Sequence, residues 1–522
     1  MRVWLAALLC SVCWNWSATA WADDVSDLSA EIDRLIAARW ETEVVQPAAP
    51  ADDAEFLRRL HLDLCGRIPR AAEIREFLAD DAPDKRRKVI DELLERPTFI
   101  IHHTNLWRAA MIPEADANQE IRGQLPGFEA WLRSRIAENR NFAQITEELL
   151  TLPLDDQAQQ RFVQPTSPVP VAFYQAKDFQ LERLTAATSR LFLGVRLDCA
   201  QCHDHPFDHW KQPEFWSFAT LFTDVARFRG EESNVQIAED GRSLTIPDKN
   251  KTVAAAFLDG TEPDWSKGDS GRTLLVHWMT SPENPYFARA AVNRVWSYHF
   301  GLGLVDPPDD FTDLNPPSHP ELLDLLAREF VEHDFDLKFI TRAIASCRAY
   351  QLSSRQTDAS QDDPRRFARM PVRGLTPEQI FDSLAQATGY RQPFDPEQPL
   401  NFNNDQIRQE FVSTFANDTD APTERATSIL QALSLMNGQF ISQATDLTDS
   451  RTLAAIIDAP FLDTNEQIDA LYLSTLSRFP SDAERSHCRD YIQSGGPQND
   501  QKSALADLFW ALLNSSEFLL NH

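Results

Sequence analysis

Proline sets the terms on which this chain can fold. The sequence carries 32 prolines and only 16 glycines in 522 residues. Proline locks its own φ and donates no backbone hydrogen bond, so each one tends to open or close an element. Between the prolines, apolar residues recur at helical spacing. Leu28, Ile32, Leu35 and Ile36 mark a helix over 27–43. Phe56, Leu57, Leu60 and Leu64 mark another over 52–64, stopped by Gly66 and Pro69. The same period predicts helices over 70–78, 84–94, 99–111, 127–150 and 181–193. It resumes over 274–280, 286–300, 321–332, 337–349, 423–442, 464–476, 482–493 and 501–514. Thr376-Pro377-Glu378-Gln379 is an N-cap with proline in the first turn, predicting a helix over 376–388. Only 227–257 differs in texture: Val235–Ala238 and Ser243–Ile246 flank Glu239-Asp240-Gly241, a hairpin signal, and 251–257 can add a strand. The expected fold is therefore mainly α, two helical lobes with a small β insert between them. The expected units are 23–225, an insert or linker at 226–271, and 272–522. No short-period repeat suggests a solenoid.

Hydrophobic residues make up 43% of the chain, enough for a sizeable core, and the formal net charge is −29. A surface this acidic repels nucleic acid and anionic membranes and suits a basic partner or a cation. Residues 1–22 read as a secretory signal: Arg2 is the only charge, 3–16 is mostly apolar, and Ala20-Trp21-Ala22 offers small residues at the cleavage positions. The protein is thus expected to be exported, to the periplasm or the cell surface, with no transmembrane span after signal removal. Export leaves Cys65, Cys199, Cys202, Cys347 and Cys488. Cys65, Cys347 and Cys488 sit in helical apolar patterns and read as small buried hydrophobes.

Cys199 and Cys202 stand apart. Leu197–Phe207 reads LDCAQCHDHPF and packs both cysteines with His203 and His205 into a few residues, followed by His209. Cys-x-x-Cys-His is the pattern of c-type haem attachment, in which two thiols bond the porphyrin and the adjacent imidazole ligates iron. On that reading Cys199, Cys202 and His203 bind haem c, and the protein is an electron carrier or redox subunit with a redox partner protein. Met111, Met279, His277, His299 and His319 qualify as a distal ligand by type only. The aromatics of 215–222 suit a flat cofactor or an ordinary core. A second reading takes Cys199 and Cys202 with two of His203, His205 and His209 as a zinc site, closed and structural or open and hydrolytic, with Asp204 or Asp208 orienting an imidazole. A third is a plain disulfide. In the second half Asn293, Arg294, His319 and Asn437 are either structural or join Asp310 or Asp313 in an acid–base cleft. No phosphate-cradling glycine loop, nucleotide fingerprint or nucleophile elbow is present.

Several phrases together resemble the paired planctomycete domains of unknown function, a cytochrome C type domain followed by its C-terminal companion. Phe56–Pro69 and Asp198–Phe207 carry the likeness to the first. Asn284–Arg289, Val292–Trp296, Phe300–Gly303, Pro316–Leu323, Thr427–Asn437 and Ala511–Phe518 carry the likeness to the second. The resemblance implies an exported, mostly helical protein without a fixed activity. In many longer relatives a separate leading domain binds haem.

Overall fold

The structure, a computed structural model, describes residues 24–154, 168–229, 235–247, 249–391, 406–415, 440–441, 445–447 and 450–522. The signal-like segment, most of the helix expected at 423–442, and Asn437 lie outside them. Helices dominate, as the periodicity predicts, and strands occur only in small antiparallel pairings.

The helix Asp53–Cys65 is the element on which the rest is assembled. Asp52 caps its start, accepting from the Glu55 amide at 2.9 Å. Gly66 ends it in the left-handed region at φ +68°, donating to the Leu62 carbonyl at 3.1 Å. Phe56, Leu57, Leu60 and Leu64 enter a large apolar core, and Leu62 enters a second. The polar residues between them are buried too: Arg58, Arg59, His61 and Asp63 are at most 6% exposed. The helix is therefore enclosed on every side rather than along one stripe.

The two cores do not follow the division at 226–271. The larger is built from residues between Val25 and Met370, with Leu473. The smaller takes Leu62 and Ile68 together with residues from Leu375 to Phe518. The reason is that the helices Phe287–Phe300, Pro320–Glu332 and Leu337–Ser346 bury their apolar faces against the first half. Phe287 lies 5.4 Å from Phe142 and 6.4 Å from Phe192, ring to ring, and Tyr298 packs edge-on to Trp107. Lys338 pairs with Glu95, and Arg342 with Asp91. Sequence units and packing units are thus different divisions of one chain.

A buried polar knot joins the cores. The Asp63 carboxylate accepts from Arg373 Nη2 at 2.9 and 3.0 Å, from the Tyr350 hydroxyl at 2.8 Å and from Asn521 Nδ2 at 2.6 Å. Arg58 donates to the carbonyls of Thr475 and Phe518, and Arg59 to that of Tyr350. Strands Arg373–Gly374 and Leu520–Asn521 pair antiparallel beside it. Such a pair contributes little net stability against an apolar replacement, but stranding one partner is costly.

The insert forms as expected: Gln236–Ile237, Ser243–Thr245 and Thr252–Ala254 make a three-stranded antiparallel sheet, with Leu244 opposite Ile237 and Val253. Its buried side joins the larger core. Elsewhere the boundaries differ. The helix expected over 127–150 is two, Gln119–Ala137 and Phe142–Leu150, because Asn139 turns left-handed at φ 49° and Asn141 caps the second. The first begins at the Asn118 cap and accommodates Pro126. A further helix, Gln406–Phe415, lies between the helices expected over 376–388 and 423–442. No helix among the described residues is long and apolar enough to cross a membrane.

Candidate functional site: the cysteine–histidine loop

The helix Leu181–Thr188 widens into a π turn over Ser189–Leu193 and stops at Gly194, φ +70°. A Cβ there would come within 2.5 Å of the Phe311 ring, so the position takes only glycine without rearrangement. Arg196 is clamped by Asp309. A 3₁₀ turn, Asp198–Gln201, follows.

The loop's apolar residues decide what it presents. Leu197, Ala200 and Trp210 are at most 3% exposed and tie it to the larger core. Cys199, Cys202 and His203, between them in sequence, are left facing solvent. The next helix, Gln212–Ala219, pins the backbone from beneath. The Gln212 amide donates to the carbonyls of Gln201 (3.1 Å) and Cys202 (2.9 Å), and the Trp216 indole donates to Gln201 at 3.0 Å. The Gln212 backbone N–H reaches Asp204 Oδ1 at 3.1 Å, and the His205 N–H donates to the Trp210 carbonyl at 2.8 Å. Lys249, beyond the second strand of the insert, holds the Gln212 side-chain oxygen. Sequence periodicity does not disclose Gln212 and Trp216 as supports; a polar side chain buried at a helix start is the signal that could have.

Both thiols are free. The three histidines differ in what they offer. His203 Nδ1 lies 2.8 Å from the Asp204 carbonyl, which can only accept, so Nδ1 is the protonated nitrogen and Nε2 the one that bears the lone pair in the neutral tautomer. His209 is alike: Nδ1 lies 2.8 Å from Asp208 Oδ1, on a carboxylate whose side chain is 5% exposed. His205 is the reverse. The Phe207 N–H donates to its Nδ1 at 3.3 Å, placing the proton of the neutral ring on Nε2. Among the described residues no group of three or more His, Cys, Asp or Glu side chains converges closely enough to hold a metal ion. A zinc set drawn from Cys199, Cys202, His203, His205 and His209 would thus require the loop to close around the ion.

The donor chemistry fits haem attachment: two exposed thiols on one turn and an imidazole whose Nε2 is available for iron. The surroundings give it an exposed position. Phe215, Trp216, Phe218 and Phe222 are at most 2% exposed and belong to the core rather than to a cofactor wall. Met111, Met279, His299 and His319 are buried as well, and His277 alone of the five distal candidates is exposed. In the second half Asn293 is structural, its amide holding Val305 (2.8 and 3.0 Å) and Pro308 (3.2 Å). His319 contacts Arg39 and Ser318. None of these residues is joined with Asp310 or Asp313 by any contact among the described residues.

A helical fold built on a buried polar helix, displaying one Cys-x-x-Cys-His turn, defines the class. Residues 31–227 match the model of PSCyt2, a protein of unknown function (DUF1549), and residues 271–492 match that of PSD1, a protein of unknown function (DUF1553). The chain belongs to the proteins that join these two planctomycete-type domains in this order. No curated protein and no solved structure matches it.

Proposed function

We infer that Cys199–His203 is a c-type haem attachment site and that the protein acts as an exported electron carrier or redox subunit. The observation that carries this reading is the pairing of two free, exposed thiols with a neighbouring imidazole whose Nδ1 is already held by a backbone carbonyl. Attachment adds each S–H across a vinyl C=C: a C–S bond forms and the proton goes to the adjacent carbon, with no change of oxidation state. The bound group would supply one-electron chemistry. The chain's own part is to fix the turn through Gln212 and Trp216 and to orient His203 through Asp204. Exposed Asp198 and Asp204, on a chain of net charge −29, favour a basic redox partner by electrostatic steering.

The test is a pyridine haemochrome spectrum on protein made with haem-maturation machinery in an exporting host. Covalent haem is expected, absent in Cys199→Ser/Cys202→Ser. In His203→Ala the pyridine haemochrome of thioether-bonded haem should persist while the absorption spectrum of the pyridine-free protein changes. Haem-free protein from such a host defeats the reading.

The Asp208–His209 pair favours a second reading, because a carboxylate on one imidazole nitrogen is the usual way a metal-binding histidine is oriented. Cys199, Cys202, His203 and His209 would then close on zinc as a structural site. Stoichiometric zinc without covalent haem, lost in His209→Ala, would select it.

A further inference from the structure

A pocket of about 430 Å³ opens at the C-terminal end of the helix Asp53–Cys65. That volume lies in the range of small-molecule sites. His61 and Cys65 line it from this helix, Arg67 follows the Gly66 turn, Glu73 and Arg96 come from the segments after it, and Gln386 comes from the helix Pro377–Thr388.

Two of these side chains make no hydrogen bond or ion pair with a described residue. His61 is 3% exposed, lines the pocket, and makes no side-chain hydrogen bond to any described residue. Burial pushes its pKa down to about 3, so the ring is neutral, with one N–H donor and one lone pair. Arg67 is half-buried and has no ion pair or hydrogen bond among the described residues. Its neighbours are already committed. Glu73 takes Arg70 at 2.9 Å and Arg96 at 2.6 Å, and Arg96 also takes Glu92 at 2.6 Å. Three guanidinium groups thus face two carboxylates, and the unmatched charge is that of Arg67. In so acidic a chain, a half-buried guanidinium left without a carboxylate marks a place for an anion from outside.

We propose that this pocket binds a small hydroxylated monocarboxylate, its carboxylate on Arg67 and a hydroxyl against His61. A neutral imidazole that both donates and accepts matches a hydroxyl. A guanidinium matches a carboxylate in two-point geometry. A dianion is disfavoured, because Glu73 and Glu92 stand beside the single unmatched charge.

The test uses the full-length protein with gluconate, glucose and glucose 6-phosphate as probes, read by ligand-detected saturation-transfer NMR. Gluconate is expected to bind saturably, with a Kd of about 1 mM for one charge-assisted contact and its neighbours. Arg67→Gln should weaken it about tenfold or more, while Arg87→Gln, an exposed arginine elsewhere, leaves it unchanged. Glu92→Gln should tighten it, since one edge of Arg96 is freed and a repelling charge removed; loss of a merely structural ion pair would not do that. Absence of saturable gluconate binding at about 10 mM overturns the proposal. So does binding unaffected by Arg67→Gln in folded protein, no tightening in Glu92→Gln, or tighter binding of glucose or glucose 6-phosphate than of gluconate.

Discussion

Two segments of the first half are both rich in titratable side chains and put them to opposite uses. In Asp53–Cys65 the arginines, His61 and Asp63 are enclosed, and the arginines and Asp63, unlike the pocket-lining His61, are hydrogen-bonded within the fold. Over Leu197–Trp210, Leu197, Ala200 and Trp210 are enclosed, while both thiols, the His203 and His209 imidazoles and the Phe207 ring are left outside. Burial is what separates a fastening from a reagent. A polar group taken out of water must be satisfied by the fold itself, whereas one held at the surface on a rigid turn stays free to react. Substitutions in the two places should accordingly fail in different ways.

The largest effect is expected from Asp63→Ala, which strands the Arg373 guanidinium (side chain 7% exposed) and frees the ends of Tyr350 and Asn521. Urea unfolding should show a loss of about 3–5 kcal/mol; a loss under about 1 kcal/mol would mean the knot is not what joins the cores. Gly66→Ala comes next. The left-handed φ alone costs about 1–2 kcal/mol, and the new Cβ would stand 2.5 Å from His102 Nδ1.

Acid should act on the buried histidines. Burial holds His61 at about 3 and His102 and His319 at about 4, against 6.5 when exposed, and it also lowers His103 and His299. Between the folded and unfolded values the unfolded chain binds more protons, so stability is full above pH 6.5 and falls as pH drops toward 4. Each such histidine adds a slope of up to about 1.4 kcal/mol per pH unit. The thermal midpoint should therefore decline steadily from pH 7 to 4.5; a flat profile would show that these rings take up protons equally in the folded and unfolded chain. The smallest effect is expected from Cys199→Ser/Cys202→Ser, within about 0.5 kcal/mol of the parent in chemical unfolding of cofactor-free protein.

Much of this was legible from residue order. The cap at Thr376, the stop at Gly66 and the turn at Asp240-Gly241 are local, and each acts within a few residues of the element it shapes. Where the cores divide was not legible, because it depends on which faces meet: Leu62 joins residues beyond 375, while Phe287 joins Phe142. Nor was the enclosure of Arg58, Arg59 and Asp63. An apolar stripe marks one buried face, and charged residues off that stripe look solvated until their distant partners are known. At the loop, the cysteine spacing marked the candidate site, but which imidazole nitrogen faces outward depends on neighbours as small as the Asp204 carbonyl. The pocket escaped notice for a similar reason, since Arg67 gives no sign in sequence of lacking a carboxylate.

The reach of the knot also bears on timing. Asp63 and Asn521 are separated by 458 positions. At ribosomal speeds of about 5–20 residues per second, roughly 20–90 s elapse between the synthesis of one and the other. During that interval the helix on which both cores converge has its carboxylate but not its final donor. The Asp63 knot is therefore completed only after Asn521 has been synthesised.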